Sequence, residues 1–172
     1  MEAIIFGRGP TKDLIQEVPN NIFIASCSMH FPNADLIFAQ DDHIFDKILG
    51  KDVTGFNTQM IFAPLRVYEK YAGTRVMLID EDKLFPNSQG LSTGILAIGV
   101  MLKLGFKKLY LAGFDFTSPG GTIEKLLSVT TEFNKLYCIV EEPLLLNPPS
   151  PNFITKEAFY NGRTNVKKTT GD

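Results

Sequence analysis

The chain has 172 residues, 44% of them hydrophobic, and a formal net charge of −2. That length and composition suit one globular domain with its own core and exclude a disordered chain. The charge supplies no broad basic field, which argues against nucleic-acid binding through phosphates.

In chain order, residues 3–6 are a short apolar run ended by Gly7 and read as a buried strand. PTKDLIQEV can start a short helix, with Pro10 in its first turn. NIFIASCSM is a second strand and ADLIFAQ a third. DDHIFDKIL follows, with Ile44, Ile48 and Leu49 at helical spacing. TQMIFAP is a fourth strand, stopped by Pro64, and RVMLID a fifth. GILAIGVMLKLG reads as a helix that is apolar on every side, with Gly105 placed to end it. KKLYLAGFDF is a sixth strand. GTIEKLLSVTTEFNKL reads as an amphipathic helix with Ile123, Leu126, Leu127 and Phe133 inward, and LYCIVEE as a seventh strand.

These strands are short, often apolar without alternation, and interleaved with helices. That pattern belongs to strands buried on both faces of a mainly parallel sheet. The expected fold is α/β: a single Rossmann-like domain over residues 1–146, with helices on both faces of the sheet. Residues 147–172 read as a Pro-rich and polar C-terminal arm. NPPSPN suits neither helix nor sheet, FITKEAF can dock through Phe153, Ile154 and Phe159, and RTNVKKTTGD lacks an apolar face and reads as loose.

Cys27 and Cys138 both lie in apolar runs and read as buried, reduced thiols. His30 and His43 are the only histidines, too few for a zinc centre, and no metal or other cofactor is expected. MEAIIFGRGP lacks a charged segment followed by a long apolar stretch, so no signal peptide is expected. Lys103, Lys107 and Lys108 interrupt the best apolar segment, so no membrane span is expected and the protein reads as cytoplasmic.

In an open parallel sheet, ligands bind beyond the carboxyl ends of the strands. Four polar stretches fall there. GRGPT, with Gly7, Arg8, Gly9, Pro10 and Thr11, allows a tight turn and a close backbone approach to an anion. A side chain at Gly9 would fill that approach path. The loop lacks both the third glycine of a dinucleotide fingerprint and the Gly-Lys-Ser/Thr of a Walker loop. SCSMH carries Ser26 and Ser28, whose hydroxyls can meet a ribose or base or can simply end a strand. QDDHIFD places Asp41, Asp42 and His43 together, as cation or sugar ligands, an acid–base group, or a helix cap. Finally, Ser92, Thr93 and Gly94 open the all-apolar helix. They can cap it and can present its positive end to an anionic group. GFDF, with Asp115 and Phe116, ends the next strand on the same edge.

IIFGRGPT resembles the GNGPS-type loop that opens the bacterial sialyltransferases of glycosyltransferase family 42. STGILAIGVMLKLGFKKLYLAGFDF is similar to their TSG…A…ALGYKEIYLSGIDFY segment, and KLYCIVEEPLL to the strand that follows. The three motifs occur in the family's order, over about residues 3–31 and 91–146. The GxGPS-type loop and the acidic strand end at Asp41-Asp42 also resemble the broader MptE-like superfamily. The resemblance implies transfer of a sialic acid from a CMP donor to a sugar acceptor, with inversion and no required metal. It implies that Gly7, Gly9, Pro10 and Thr11 meet the nucleotide. Ser92, Thr93 and Gly94 would lie near its ribose and phosphate, with Asp115 and Phe116 closing that wall. Ser28 stands near a position where the family often has a donor-contacting Asn.

The family also carries a lid with a catalytic His and Tyr after its GFDF-like strand end. Here TSPGGTIEKLLSVTTEFN has neither, so the chain resembles a trimmed version of that fold, as compact viral genomes sometimes carry. An acceptor hydroxyl needs a base, and Asp42 and His43 are the remaining candidates. The expected partner is a nucleotide or nucleotide sugar, with a homo-oligomer left open. Three functions remain: a small glycosyltransferase, a nucleotide-binding module without catalysis, or an interaction protein that keeps only the fold.

Overall fold

The computed structural model describes residues 1–28, 33–41, 60–71, 76–88, 90–117, 119, 121–142, 147–163 and 166–168. Its centre is β1 (Glu2–Phe6), flanked by β3 (Phe23–Cys27) and β7 (Lys108–Ala112), both parallel to it. From β3 the sheet continues outward through β4 (Leu36–Phe38), β5 (Met60–Ala63) and β6 (Val76–Leu78). From β7 it continues through β8 (Leu136–Ile139) to β9 (Asn152–Ile154). All eight strands of this sheet are parallel, in the order β6-β5-β4-β3-β1-β7-β8-β9. The chain therefore builds one half of the sheet, returns to the centre, and builds the other half. The architecture is the α/β, Rossmann-type fold that the interleaved apolar runs imply.

Both faces of the sheet are covered, which explains why its strands lack a polar alternation. Along β1, Ala3 and Ile5 face one apolar cluster and Ile4 and Phe6 the other, all essentially buried. The first cluster is completed by α3 (Thr93–Lys103), in which Ile95 to Met101 are buried without a break. The second is closed by Ile15, by Val67 of α1 (Leu65–Tyr71), and by Phe159 of α5 (Lys156–Tyr160). A short α2 (Glu81–Leu84), capped by Asp80 accepting from Lys83 N–H, lies between β6 and α3. No helix among the described residues is long and apolar enough to cross a membrane.

Besides α1 and α2, where the sequence reading named no helix, three stretches differ from the sequence expectation. PTKDL is a single 3₁₀ turn, Pro10–Leu14, followed by β2 (Glu17–Pro19). The long amphipathic helix expected after residue 121 is only α4 (Ile123–Leu127) and a 3₁₀ turn, Phe133–Lys135. Local side-chain bonds compete with the helix there: Ser128 Oγ donates to the Lys125 carbonyl at 2.5 Å, and Thr130 Oγ1 accepts from Glu132 N–H at 2.9 Å. Leu126 and Phe133 are buried as expected, whereas Leu127 is 42% exposed. The third difference is at the C-terminus. Phe153, Ile154 and Phe159 pack on the two clusters, as FITKEAF suggests, but the next segment is not loose. Val166–Lys168 forms β10, antiparallel to β2. Such pairing uses backbone groups and so needs no apolar period in the sequence.

Arg163 fastens this end of the chain. Its guanidinium donates to both Glu2 carboxylate oxygens at 3.2 and 3.4 Å, to the Tyr110 hydroxyl at 2.7 Å and, through Nε, to the Phe159 carbonyl at 2.8 Å. Lys108 lies 3.9 Å from the same carboxylate. Burial works against the Glu2 charge, but the Arg163 hydrogen bonds and the charges of Arg163 and Lys108 hold its carboxyl below the usual range.

Candidate functional site

The direction of chain travel reverses between β1 and β7: the loop after β1 leads to β3 on one side, and the loop after β7 leads to β8 on the other. Such a switch point leaves a crevice at the carboxyl edge of the sheet. A cleft of about 530 Å³ lies there, walled by the loop after β1, the end of β3, the end of β4, the start of α3 and the loop after β7.

The two central loops are locked to each other. Gly7 N–H donates to the Ala112 carbonyl at 2.7 Å and Gly9 N–H to the Gly113 carbonyl at 2.9 Å. Gly113 has φ +86°, and a Cβ there would stand 2.5 Å from the Gly7 carbonyl oxygen. A Cβ on Gly9 would stand 2.7 Å from the Gly113 oxygen. These glycines are thus required by backbone against backbone. A side chain at Gly9 would meet the β7 loop before any ligand, so the expectation that it would only block an approach path does not hold. Phe114 fills the remaining gap: its ring touches the space where Cβ atoms on Gly7 and Gly94 would sit, at 3.0 and 2.6 Å.

Gly7, Arg8 and Gly9 line the cleft, as do Ser28, Ser92, Thr93, Gly94, Asp115 and Phe116. Pro10 and Thr11 do not line it. Pro10 starts the 3₁₀ turn, and Thr11 Oγ1 accepts from Gly113 N–H at 2.9 Å, one more tie between the two loops. Asp41 lines the cleft. Asp42, His43 and His30 lie outside the described residues.

The start of α3 combines two roles. Ser92 is its N-cap, accepting from Ile95 N–H at 3.4 Å. The N–H groups of Thr93 and Gly94 have no carbonyl within their own helix and stand at its positive end. Arg8 adds a cation on the opposite wall, and Asp41 and Asp115 add carboxylates. Asp115 Oδ1 accepts from Thr117 N–H at 3.0 Å, which orients its side chain. Two cleft residues hold left-handed backbone: Ser28 at φ 56° and Phe116 at φ 57°. Non-glycine residues in that region are strained by roughly 1–2 kcal/mol, and such strain gathers at working sites.

Sequence reasoning missed Gln40 and Cys27. Gln40 lies two residues beyond β4, beside Asp41, and its chain of contacts is long. Its Oε1 accepts from the Thr93 hydroxyl at 2.8 Å, and its Nε2 donates to the Leu91 carbonyl at 3.3 Å and to Glu81 Oε1. An uncharged residue beside two aspartates gives no sequence signal of its own. Burial pushes the Glu81 carboxyl up, partly offset by the Gln40 hydrogen bond. Cys27 is 2% exposed, and burial pushes its thiol up to about 12, so it is part of the cleft's apolar floor rather than a nucleophile. Cys138 is likewise buried and pushed up to about 12, first by burial and then by the Asp115 charge. Among the described residues no group of three or more His, Cys, Asp or Glu is placed to hold a metal ion.

The fold has counterparts among solved structures. The sialyltransferase CstII from Campylobacter jejuni, in complex with a substrate analogue, cytidine-5′-monophosphate, superposes with a TM-score of 0.58 at 16% identity, over 99% of this chain and 91% of that one. CstII with a trisaccharide acceptor and CMP gives 0.64 at 16% identity, over 99% and 92%. An α-2,3/8-sialyltransferase CstII variant gives 0.60 at 14% identity, over 99% and 93%. No family model matches the sequence, and no curated protein matches it. At such identity the likeness is one of fold. This chain has the architecture of these structures.

Proposed function

We propose that the cleft binds a nucleotide sugar, a CMP-sugar by its likeness to CstII, and that the chain transfers the sugar to an acceptor hydroxyl. The observation that carries this reading is the cleft itself: an anion-attracting helix start faces a glycine-locked loop at the switch point of the sheet. The phosphate lies at the Thr93 and Gly94 N–H groups, with Arg8 as its cation. Ser28, Thr93, Asp115 and Phe116 meet the ribose and base. The acceptor hydroxyl loses its proton to a base and attacks the anomeric carbon from the face opposite the phosphate. The bond to the phosphate oxygen breaks, and the positive end of α3 receives the charge that builds there. The base is Asp42 or His43, the acid and imidazole that follow Asp41 in the sequence.

The test pairs binding with turnover. CMP, UMP, GMP and CMP-sialic acid are titrated calorimetrically and in a melting assay, and release of CMP from CMP-sialic acid is followed with and without sugar acceptors. The expected result is CMP binding, a raised melting temperature, and transfer. His43→Ala or Asp42→Asn should lower turnover about a hundredfold with donor affinity nearly unchanged. Binding without turnover would make the protein a nucleotide-binding module. No binding of any nucleotide would leave a protein that keeps only the fold.

A further inference from the structure

Gln40 reaches from the end of β4 to the start of α3, and its amide has one consistent orientation. The Leu91 carbonyl and the Glu81 carboxylate on one side are acceptors, so the amide nitrogen must face them. The amide oxygen then faces Thr93 and takes the proton of its hydroxyl at 2.8 Å. A hydroxyl has a single proton. What Thr93 has left for the cleft is lone pairs. The Ser28 hydroxyl already donates toward that oxygen at 3.5 Å, a long contact that a ligand hydroxyl can replace. The set is held from behind, because the Arg66 guanidinium donates to the Gln40 carbonyl and Glu81 belongs to α2.

We propose that Gln40 is a specificity-determining positioning residue: by taking the Thr93 proton it makes Thr93 an acceptor, which selects a ligand hydroxyl at the mouth of α3. The inference rests on the nucleotide reading of the cleft. It divides the labour there. Oxygen lone pairs repel phosphate oxygens, so the phosphate is held by the backbone N–H groups of α3. The Thr93 oxygen meets a hydroxyl of the ribose or of the carried sugar. Glu81 and the Leu91 carbonyl keep Gln40 from turning its amide nitrogen to Thr93, which would free the Thr93 proton for the phosphate.

The experiment measures Kd by calorimetry for CMP, 2′-deoxy-CMP, 3′-deoxy-CMP and CMP-sialic acid. It uses the full chain, Thr93→Val and Gln40→Leu, with circular dichroism melts to verify folding. If ribose supplies the hydroxyl, the parent binds CMP about tenfold tighter than the one deoxy form that lacks it, and both variants bring that ratio toward one. If the carried sugar supplies it, both variants weaken CMP-sialic acid about tenfold more than they weaken CMP, and the CMP to deoxy-CMP ratios stay as in the parent. Equal weakening of CMP and both deoxy forms by Thr93→Val overturns the proposal, because it marks donation to the phosphate. A ratio kept by Gln40→Leu but lost in Thr93→Val also overturns it, since Gln40 would then not set the polarity. Should Gln40→Leu not fold, the Thr93→Val ratios decide. Unchanged binding of all four ligands by both variants sinks the inference while the nucleotide reading stands. A folded parent that binds no nucleotide sinks both.

Discussion

Gly113 is the residue on which the cleft depends most. Its φ of +86° lies where a side chain is strained, and a Cβ would press on the Gly7 carbonyl at 2.5 Å. Neither cost can be relieved by a rotamer change, because both partners are backbone. The Gly113→Ala variant should therefore lose about 2–4 kcal/mol in urea denaturation. A loss below about 0.5 kcal/mol, the range of an ordinary surface change, would mean that the two loops are not locked as described. Thr11 works on the same junction through its bond to Gly113 N–H.

At the scale of elements, α3 places one wall of the cleft. A helix buried on every side needs close neighbours on every side, and Gly99 provides room for one. A Cβ there would stand 2.6 Å from the Phe85 ring and 2.9 Å from Val129 Cβ. Two effects oppose each other in Gly99→Ala. Helix propensity favours alanine by about 1 kcal/mol. Overpacking a tight site costs about 1–3 kcal/mol. With contacts below 3 Å to two different side chains, overpacking should win, for a net loss of about 1–2 kcal/mol by thermal or urea unfolding. A stabilised Gly99→Ala would show that Phe85 and Val129 retreat freely and that α3 is packed more loosely than its burial indicates.

For the molecule as a whole, the ends of the chain hold each other. Glu2 begins the central strand, and Arg163 lies 161 positions later, yet the two form an ion pair beside Tyr110. Removing residues 162–172 takes away Arg163 and β10 together, and the melting temperature should fall by several degrees, the scale of about 1–2 kcal/mol. The loss should depend on pH. Glu2 has a folded-state carboxyl held below its unfolded value, so its contribution is fully present above about pH 4.5 and is lost as pH falls through the folded value. The truncated chain should trail the parent most at neutral pH, and the gap should narrow in acid. Equal melting temperatures at pH 7 would make the C-terminal segment an appendage after all.

The sheet and its two covered faces were legible in the sequence, because a strand buried on both sides must be apolar at every position and leaves a run that composition cannot hide. The all-apolar α3 and its Ser92 cap were legible for the same reason, burial and the free N–H groups of a first turn being local demands. The candidate binding loops were legible by their glycines, although not the purpose of those glycines, since Gly7 and Gly113 serve each other across more than a hundred residues. The early end of α4 was not legible, because the Ser128 and Thr130 side-chain bonds that compete with the helix are a weak local preference set against an amphipathic pattern that runs on to Phe133. Gln40, β10 and the Glu2–Arg163 pair were invisible for one physical reason. Each owes its role to a partner brought near by folding, and a hydrogen bond between distant residues imposes no period, spacing or composition on the chain that makes it.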